Sequence, residues 1–339
     1  MKVLVTGGAG YIGSHTCVSL MSAGYEVAVL DNLSNGHFEA VLRAQQLSGH
    51  SLRFYNADLR DKADVEKVFY AFQPEAVIHF AALKSVEESI REPLLYYESN
   101  VAGSVILLQV MSEYKVKQLV FSSTANVYGH ALDVPISEDS HIAPTNPYGR
   151  SKAMIEQILS DIVASEADWR VARLRYFNPM GAHPSGIIGE DPRGVPSNLP
   201  PYIAQVALGR RSQLQIFGGD YDTPDGTGVR DYIHVVDLAE GHVAALNYLT
   251  NNMGLVTANL GTGRGYSVLE MVKAFERVSG HPIPYRIVGR RSGDVAKSYA
   301  ATNKAEKLFA WKARFGLDDM CRDAWRWQVM NPSGYSRNN

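Results

Sequence analysis

Short apolar runs recur along the first half of the chain, and each ends in glycine, alanine or a polar residue. The runs occupy Val3–Val5, Val27–Leu30, Leu52–Tyr55, Ala76–Phe80 and Gln118–Phe121. Segments with helical periodicity lie between them. Strands buried on both faces of a sheet have continuous apolar sequences, and their alternation with helices is typical of a parallel α/β architecture. The pattern therefore predicts a doubly wound parallel sheet.

The second half of the chain has shorter elements. Its pattern predicts a helix over Leu199–Leu208, a strand over Leu214–Phe217, and helices over Asp237–Leu249, Val268–Val278 and Asp318–Met330. We interpret residues 1–178 as a Rossmann-like nucleotide-binding domain and residues 179–339 mainly as a smaller α/β substrate-binding domain. We expect some later segments to return to the first domain.

Composition narrows the class of protein. The chain of 339 residues has 33 Lys and Arg against 35 Asp and Glu, so it lacks the basic excess of sequence-independent nucleic-acid binding. Its apolar runs are too short for a membrane span, and the N-terminus lacks the pattern of a secretion signal. Cys17 and Cys321 lie far apart in the sequence and near no histidine cluster, so the sequence predicts neither a disulfide nor a metal site. This cysteine usage favours the reducing cytoplasm as the location of the protein.

A glycine loop follows the first predicted strand. Gly7, Gly10 and Gly13 are spaced as in loops that let a pyrophosphate approach the main chain at the start of a helix. Asp31 ends the second strand, where a carboxylate accepts from an adenosine ribose and repels a 2′-phosphate. The sequence therefore predicts bound NAD rather than NADP. The alternatives are a glycine-rich turn without a ligand and a solvated loop acid.

A candidate acid–base pair opens a later helix. Tyr148 and Lys152 are four residues apart and share one helix face, where an ammonium favours a phenolate. The predicted strand from Gln118 leads into hydroxyl residues, among which Thr124 is the candidate proton relay. The alternative is a turn in which these hydroxyls only satisfy local backbone groups. His79 lies within an apolar run and is interpreted as a core residue.

Together these features resemble the extended short-chain dehydrogenase/reductase family, and in particular its nucleotide-sugar 4-epimerases. The more specific part of the resemblance lies in the segments Arg175–Pro179, Gly181–Gly186, Gly189–Pro192 and Asp225–Val235. The resemblance runs from Met1 to about Gly334. It implies interconversion of UDP-glucose and UDP-galactose, in which Tyr148 takes the proton of the sugar 4-hydroxyl while NAD takes the hydride. The 4-keto sugar then rotates and is reduced on its other face.

The resemblance also implies the binding residues. The implied NAD contacts are Gly7, Gly10, Tyr11, Ile12, Gly13, Asp31, Asn32, Leu33, Ser34, Asn35, Gly36, Asp58, Leu59, Phe80, Ala81, Ala82, Leu83, Lys84, Ser99, Tyr148, Lys152 and Phe177. The implied UDP-sugar contacts are Thr124, Tyr148, Asn178, Asn198, Leu199, Gln215, Ile216, Phe217, Arg230, Arg291, Asp294 and Ser298.

Some of these assignments have alternatives. Arg230, Arg290 and Arg291 are suited to gripping a diphosphate, but charged runs also face water without a ligand. Phe217 could equally be a core residue. Arg173 and Arg175 either point toward a diphosphate or form structural ion pairs.

The chain departs from the commonest family pattern at Thr124, Ser99 and Ser298. Thr124 keeps a hydroxyl where many members have serine. Ser99 occupies a position where asparagine often contacts the cofactor. Ser298 is small where some members carry tyrosine, which predicts that UDP-N-acetylglucosamine and UDP-N-acetylgalactosamine are also accepted.

Other functions on the same fold remain to be weighed. Ala125 and Asn126 stand where sugar dehydratases carry an acidic pair, which disfavours elimination and decarboxylation. The alternatives are an epimerase of another UDP-sugar, pentose or uronate, and a non-catalytic NAD-sensing protein. The apolar segments Leu94–Met111 and Met154–Ile162 are expected either to form a homodimer interface or to pack on the sheet.

Overall fold

The structure is a computed structural model that describes residues 1–131, 133–194, 196, 198–291 and 293–335. The strands, in chain order, are β1 Lys2–Thr6, β2 Glu26–Asp31, β3 Arg53–Asn56, β4 Ala76–His79, β5 Gln118–Thr124, β6 Arg170–Tyr176, β7 Asn178–Met180, β8 Leu214–Phe217, β9 Val229–His234, β10 Gly254–Leu260, β11 Gly265–Ser267, β12 Tyr285–Val288 and β13 Lys297–Ser298.

Twelve α-helices alternate with or follow these strands in the described chain. They are α1 Tyr11–Ser22, α2 Phe38–Ser48, α3 Lys62–Phe72, α4 Val86–Arg91, α5 Pro93–Tyr96, α6 Gly103–Glu113, α7 Pro147–Ser165, α8 Leu199–Ala207, α9 Val235–Asn251, α10 Val268–Ser279, α11 Asn303–Phe309 and α12 Leu317–Met330. A π-helical segment, Tyr97–Ala102, precedes α6, and a 3₁₀ turn, Ala125–Tyr128, follows β5.

Seven parallel strands form the large sheet in the order β10-β6-β5-β4-β1-β2-β3. The chain starts at β1 and winds outward to one side through β2 and β3. It then crosses to the other side through β4, β5 and β6. The direction of winding therefore reverses between β1 and β4, where open α/β sheets bind ligands beyond the carboxyl ends of their strands. The predicted doubly wound parallel sheet is confirmed.

Alternate side chains of the apolar strands enter two separate cores. Val3 and Val5 belong to the core that includes residues of α1 and α9, whereas Leu4 belongs to the core that includes residues of α3, α6 and α7. Burying one such side chain contributes about 1.5–3 kcal/mol. Helices on both faces explain why these strands have continuous apolar sequences rather than alternating ones.

A smaller sheet assembles from later segments, with β9 between β11 and β13 and also paired with β7. β8 pairs separately with β12. Residues including Ile203, Ile216 and Phe275 form a third core beside these strands. After β9 and α9 the chain returns to the large sheet, where β10 pairs with β6. A domain boundary at residue 178 stays a prediction.

Most of the predicted elements are present, with shifted ends. The strand from Gln118 extends through Thr124 rather than ending at Phe121, because buried Ser122, Ser123 and Thr124 continue the ladder with β6. The strand predicted to reach Phe80 ends at His79. His79 is the core residue expected, since its two ring nitrogens are hydrogen-bonded to Thr6 Oγ1 at 2.7 Å and Ser104 Oγ at 2.9 Å.

Both cysteines are buried in separate cores, Cys17 against the large sheet and Cys321 beside the smaller one. Burial raises the pKa of both thiols, that of Cys321 to about 12. Across the described ranges, each helix is too short or too polar to cross a lipid bilayer.

Candidate functional site

The glycine loop lies at the carboxyl end of β1. Gly7 has φ +72°, and a Cβ there would lie 2.6 Å from the amide nitrogen of Ala81. A Cβ on Gly13 would lie 2.3 Å from the Gly7 carbonyl oxygen. Gly7 and Gly13 are therefore required by close backbone contacts within the fold.

Gly10 has a different environment, because a Cβ there would contact only the Gly7 carbonyl, at 3.2 Å, and otherwise enter open space. The first backbone hydrogen bond of α1 runs from Ser14 N–H to the Gly10 carbonyl at 3.0 Å. The N–H groups of Tyr11, Ile12 and Gly13 therefore point out of the positive end of the helix. This arrangement suits an anion at the start of α1.

Asp31 ends β2 beside this loop and is 7% exposed. Its carboxylate accepts hydrogen bonds from the N–H groups of Ala9 at 3.0 Å and Leu33 at 2.8 Å. Burial raises the pKa of Asp31, although these two hydrogen bonds oppose the effect. Each carboxylate oxygen can accept a second hydrogen bond. Asp31 thus orders the loop and keeps capacity for a further donor.

The following loop contains Asn32, Leu33, Ser34, Asn35 and Gly36, which were all predicted to contact NAD. Asn32 Nδ2 donates to Asp58 Oδ2 at 2.9 Å, which joins the ends of β2 and β3. Arg193 donates to the Leu33 carbonyl at 3.0 Å and the Gly36 carbonyl at 3.1 Å. Ser34 and Asn35 are exposed. Arg193 had no predicted role, since nothing in its local sequence shows which loop it reaches.

Asp58 follows β3, and the Arg60 guanidinium holds the pKa of its carboxyl well below the usual range. Leu59 is buried in the core that contains α3 and α6. Its side chain is therefore part of that core. Contact of these two residues with a nucleotide stays a prediction.

The segment of Phe80, Ala81, Ala82, Leu83 and Lys84 follows β4, and Asn100 holds it in place. Asn100 accepts from Leu83 N–H at 2.8 Å, and its amide donates to the Leu83 carbonyl at 3.0 Å and to Ser151 Oγ at 3.1 Å. The predicted residue Ser99 is half-buried, whereas its neighbour Asn100 is fully buried. Asn100 was missed because its partners are distant in sequence.

Helix α7 positions the candidate acid–base pair. Asn146 caps it by accepting from Gly149 N–H at 2.8 Å, and Pro147 fills its first turn. Tyr148 is 9% exposed and Lys152 is 2% exposed. Lys152 Nζ donates to the Ser122 carbonyl at 2.8 Å and lies 4.9 Å from the centroid of the Phe121 ring. The ammonium is therefore held against β5.

Thr124 lies at the end of β5, 5% exposed. Its hydroxyl oxygen accepts from the Asn126 N–H at 3.2 Å and from Asn126 Nδ2 at 3.1 Å. Thr124 therefore does satisfy a local backbone group, as the simpler interpretation expected. With two donors on its oxygen, its own proton is free to be donated elsewhere.

Burial dominates the pKa values of this pair. Burial raises the pKa of Tyr148, while a hydrogen bond from Thr124 lowers it. Burial lowers the pKa of Lys152 to about 7, and the negative charge of Glu156 opposes this. The predicted effect of Lys152 on the Tyr148 phenol stays a prediction.

Arg173 and Arg175 lie in a buried polar network behind α7. Arg175 forms an ion pair with Glu156, with Nη2 2.6 Å from Oε2. Arg173 donates to the Glu156 carbonyl at 2.8 Å and to Ser160 Oγ at 2.9 Å. Of the two interpretations left open by the sequence, the structural ion pair is the one observed.

The sugar-side residues gather beside β7 and α8. Asn178, Asn198 and Leu199 line a cavity of about 60 Å³ together with Pro179, Pro200 and Tyr232. Glu190 Oε1 accepts from Lys84 Nζ at 3.2 Å and from Asn198 Nδ2 at 3.1 Å. Glu190 thus links residues predicted for cofactor and for substrate. The sequence placed it in a family-specific segment without assigning it a role.

Phe177 is buried and Tyr11 is half-buried between the two groups of elements. Phe177 packs with Val127 and Ala300 in a small core. The Tyr11 hydroxyl donates to the Gly181 carbonyl at 2.6 Å, and burial raises its pKa well above the ordinary value. Both side chains serve the packing of this junction.

Strand β8 carries three predicted uridine contacts with different exposure. Gln215 is exposed, whereas Ile216 is 1% exposed and belongs to the smaller core, so its side chain is not available to a ligand. Phe217 is half-buried, and the guanidinium of Arg291 lies 4.3 Å from its ring centroid. Phe217 is therefore neither fully core nor fully surface.

The remaining charged residues surround this strand. Arg230 Nη2 lies 3.5 Å from Asp294 Oδ1, and Arg230 is in register with Ser298 on β13. Arg290 pairs with Asp220 at 2.8 Å on the exposed surface. Arg230, Asp294 and Ser298 are thus brought together, whereas Arg290 has a surface partner.

Comparison with known proteins gives the family. The chain matches the NAD dependent epimerase/dehydratase family over residues 3–261, and it belongs to this family. It is 58% identical over 335 residues to the UDP-glucose 4-epimerase of Bacillus subtilis (strain 168), covering 99% of each chain. It is 54% identical over 336 residues to that of Dictyostelium discoideum, covering 99% of this chain and 98% of the relative.

Solved structures of UDP-glucose 4-epimerases are also similar to this chain. The structure of UDP-glucose 4-epimerase from Bifidobacterium longum in complex with NAD+ and UDP is 50% identical, with a TM-score of 0.96 over 98% of this chain and 100% of that one. An epimerase from Stenotrophomonas maltophila, with bound NAD and formylated UDP-arabinopyranose, has the same identity, TM-score and coverage. The likeness extends over both the large sheet and the smaller one.

Proposed function

We propose that this protein interconverts UDP-glucose and UDP-galactose by NAD-dependent oxidation at sugar carbon 4, rotation of the 4-keto sugar and reduction on its opposite face. The observation that carries the proposal is the placement of Thr124, Tyr148 and Lys152, all buried, at the sheet edge that also carries the glycine loop. Family membership and the names of the relatives support it.

The residues present fit a dinucleotide. The open space beside Gly10 and the outward N–H groups of α1 suit a pyrophosphate, and Asp31 keeps acceptor capacity for a ribose hydroxyl. We propose that the cofactor residues named from the sequence hold NAD, with Leu59 contributing through its main chain. NAD bound here would supply the hydride acceptor for the oxidation and the hydride donor for the reduction, so it would be regenerated in each turnover.

The acid–base work falls to this chain's own residues. Tyr148 takes the proton of the sugar 4-hydroxyl and gives it back, with Thr124 donating a hydrogen bond to the phenolate. Lys152 contributes positive charge, which favours the phenolate, and is placed to bind the nicotinamide ribose. Its position against the Ser122 carbonyl keeps the ammonium near the reacting groups.

For the substrate, we propose that Arg230 and Arg291 bind the diphosphate and that Asp294 accepts from the uridine ribose. Asn178, Asn198 and Leu199 are proposed to contact the sugar and diphosphate. Gln215 and Phe217 are proposed to contact the uridine, and Ile216 to do so through its main chain. Ser298 is half-buried beside Arg230, and because its side chain is small we propose that it leaves room for an N-acetyl group and so permits activity on the N-acetylated pair.

We further propose a homodimer formed through α4, α5 and α7. Leu94 is 80% exposed and Met154 is 46% exposed, and Ile90 is 66% exposed on the adjoining helix. These apolar side chains on neighbouring helices suit a self-complementary two-fold interface. The protein is proposed to act in the cytoplasm, which agrees with its buried, unpaired cysteines.

Incubation of the purified protein with UDP-galactose, without added NAD, tests the proposal. UDP-glucose formation, followed by a coupled dehydrogenase, is expected. No conversion of this substrate, together with turnover of a UDP-pentose or UDP-uronate, would support the alternative epimerase. Release of NAD on dialysis with no turnover of any UDP-sugar would support the sensing protein.

Substitution at the acid–base residue assigns the chemistry. Tyr148→Phe is expected to lose turnover at least a thousandfold while NAD stays bound, because only the hydroxyl is removed. Tyr70→Phe is the matched control, since Tyr70 is 77% exposed on α3 and is not among the residues proposed for the site. Undiminished turnover by Tyr148→Phe would remove this residue from its proposed role.

A further inference from the structure

The face of α7 that carries Tyr148 and Lys152 continues with a third polar residue, Glu156. The three residues follow at intervals of four, which places them one above another on the helix. Glu156 is 4% exposed. A carboxylate buried to this extent requires compensating partners.

Glu156 has an unusually complete set of such partners. Ser123 Oγ donates to Glu156 Oε1 at 2.5 Å. The Arg175 guanidinium donates twice, from Nε to Oε1 at 2.9 Å and from Nη2 to Oε2 at 2.6 Å. Ser123 comes from β5 and Arg175 from β6, so one carboxylate fastens α7 to two strands of the large sheet. The bidentate geometry also fixes the orientation of both ions.

The network continues beyond the ion pair. Arg175 Nη1 donates to Tyr128 Oη at 3.1 Å and to the Glu138 carbonyl at 3.0 Å. The Tyr128 hydroxyl in turn donates to Asn259 Oδ1 at 2.7 Å. The positions of α7, β5 and β10 are therefore coupled through side chains that are almost wholly buried.

The Lys152 ammonium lies on the same helix face, one turn away from Glu156. It faces the Ser122 carbonyl and the Phe121 ring from β5, and His79 lies near it on β4. Burial, with a smaller contribution from Lys152, lowers the pKa of His79 to about 3, so this ring is neutral near pH 7. Among these neighbours, Glu156 is the anion that supports the positive charge.

Two further titratable or charged groups lie on the elements that carry or contact the helix of this ammonium. Tyr148 lies on its own helix, and Arg175 lies on β6 behind the Glu156 carboxylate. Arg175 is a second cation, and its effect on the ammonium is opposite to that of Glu156. Loss of either member of the buried pair therefore changes the net charge near Lys152.

We propose that Glu156, through its ion pair with Arg175 and its hydrogen bond with Ser123, is a positioning residue that aligns the catalytic helix on the sheet and keeps the Lys152 ammonium charged. This inference rests on the proposed function, because it assigns Glu156 a part in the same acid–base chemistry. Glu156 touches neither sugar nor cofactor in this proposal and acts through Lys152.

Replacing Glu156 and replacing Arg175 are expected to have opposite effects on the protonation of Lys152, and this difference tests the proposal. Glu156→Gln removes the anion and leaves the Arg175 cation near Lys152, so Lys152 loses its proton at lower pH. Arg175→Met removes the cation and leaves the Glu156 anion, so Lys152 keeps its proton to higher pH. Each substitution breaks the same buried ion pair, so a merely structural role predicts similar losses of stability and no opposite effects on the pH profile.

The pH profile of kcat for UDP-galactose is measured on the protein as purified. The pH at which kcat falls on the alkaline side is expected to be roughly one unit lower in E156Q and to be higher in R175M. A shift of this size corresponds to a unit charge about one helical turn from Lys152. Glu156→Asp, which keeps the charge, restores the limb to its wild-type position. Asp161→Asn, on the exposed side of the same helix, is the matched control and leaves it unmoved.

A second readout does not require turnover. The stability gained by Lys152→Met, measured by urea unfolding as a function of pH, is compared in the wild-type and E156Q backgrounds. The pH at which that gain begins to fall is expected to be roughly one unit lower with E156Q, and the pH at which it has fallen by half roughly half a unit lower. The inference is overturned if the alkaline limb of the kcat profile moves in the same direction in E156Q and R175M. It is also overturned if that limb moves in neither variant although both are folded. Absence of wild-type turnover refutes the proposed function instead, and the unfolding comparison then decides the inference alone.

Discussion

Replacement of Lys152 by methionine is expected to stabilise the NAD-free protein. Lys152 is 2% exposed, and burial lowers its pKa from 10.5 to about 7. At pH values below about 7 the folded protein must hold a charged ammonium in a buried site. Methionine has a similar length and shape but no charge, so the variant avoids this cost.

The size of the effect follows from proton linkage. Between pH 7 and pH 10.5 the unfolded chain holds a proton that the folded chain has released, so wild-type stability gains about 1.4 kcal/mol for each pH unit from Lys152. Over the whole interval this amounts to roughly 5 kcal/mol. The lost hydrogen bond to the Ser122 carbonyl offsets about 1 kcal/mol of the advantage. Lys152→Met is therefore expected to be roughly 4 kcal/mol more stable at pH 6, with the advantage shrinking as pH rises to 10.

Urea unfolding of both proteins from pH 6 to pH 10, after removal of the dinucleotide, measures this difference. Buried histidines and tyrosines titrate in both proteins, so their contributions cancel in the comparison. A Lys152→Met protein that is less stable at pH 6, or a difference that does not change with pH, would refute the reasoning. The same variant is expected to lose turnover, which makes Lys152 a site where activity and stability conflict.

Three further outcomes are expected. Gly13→Ala should purify without NAD, as absorbance after denaturation will show, because its Cβ would lie 2.3 Å from the Gly7 carbonyl oxygen; retention of NAD would contradict the close packing described for the loop. Ser298→Tyr should lower kcat/KM for UDP-N-acetylglucosamine by roughly tenfold or more and change kcat/KM for UDP-glucose little, because the tyrosine ring is expected to fill the space of the N-acetyl group. Equal losses on both substrates would argue against this specificity. A wild-type protein that is inactive on the N-acetylated sugar would also argue against it. Leu94→Glu should give a monomer in sedimentation, since Leu94 is 80% exposed on the proposed interface, with exposed Leu42→Glu as the matched control; an unchanged sedimentation coefficient would refute that interface.

The parts of the fold that the sequence predicted are those determined by local patterns. β1 and β4 are apolar at every interior position because both faces of the large sheet are covered, and their sequences show this directly. Gly7 and Gly13 were identified because close backbone approach excludes a side chain whatever the rest of the protein does. Tyr148 and Lys152 were identified from their spacing of one helical turn.

The smaller sheet was not predicted, for a physical reason. β7 and β11 have three residues each and β13 has two, so no periodicity develops within them. β9 contains Asp231, which is fully buried and accepts four hydrogen bonds from Thr262, Gly263 and Ala300. A buried carboxylate in a strand disrupts the apolar pattern, and only the distant partners that satisfy it reveal why it is there.

At the candidate site, too, the sequence predicted which residues take part but not how their side chains are hydrogen-bonded. Spacing identified Thr124 as a candidate proton relay, but it could not give the direction of its hydrogen bonds. In the structure, Asn126 supplies two donors to the Thr124 oxygen, so the Thr124 hydroxyl proton is left to be donated to another acceptor. A hydroxyl held in this orientation stabilises the phenolate more than the phenol, since the phenolate is the stronger acceptor. The local turn that offered an alternative to catalysis is therefore compatible with the proposed relay, because it leaves the Thr124 proton to be donated.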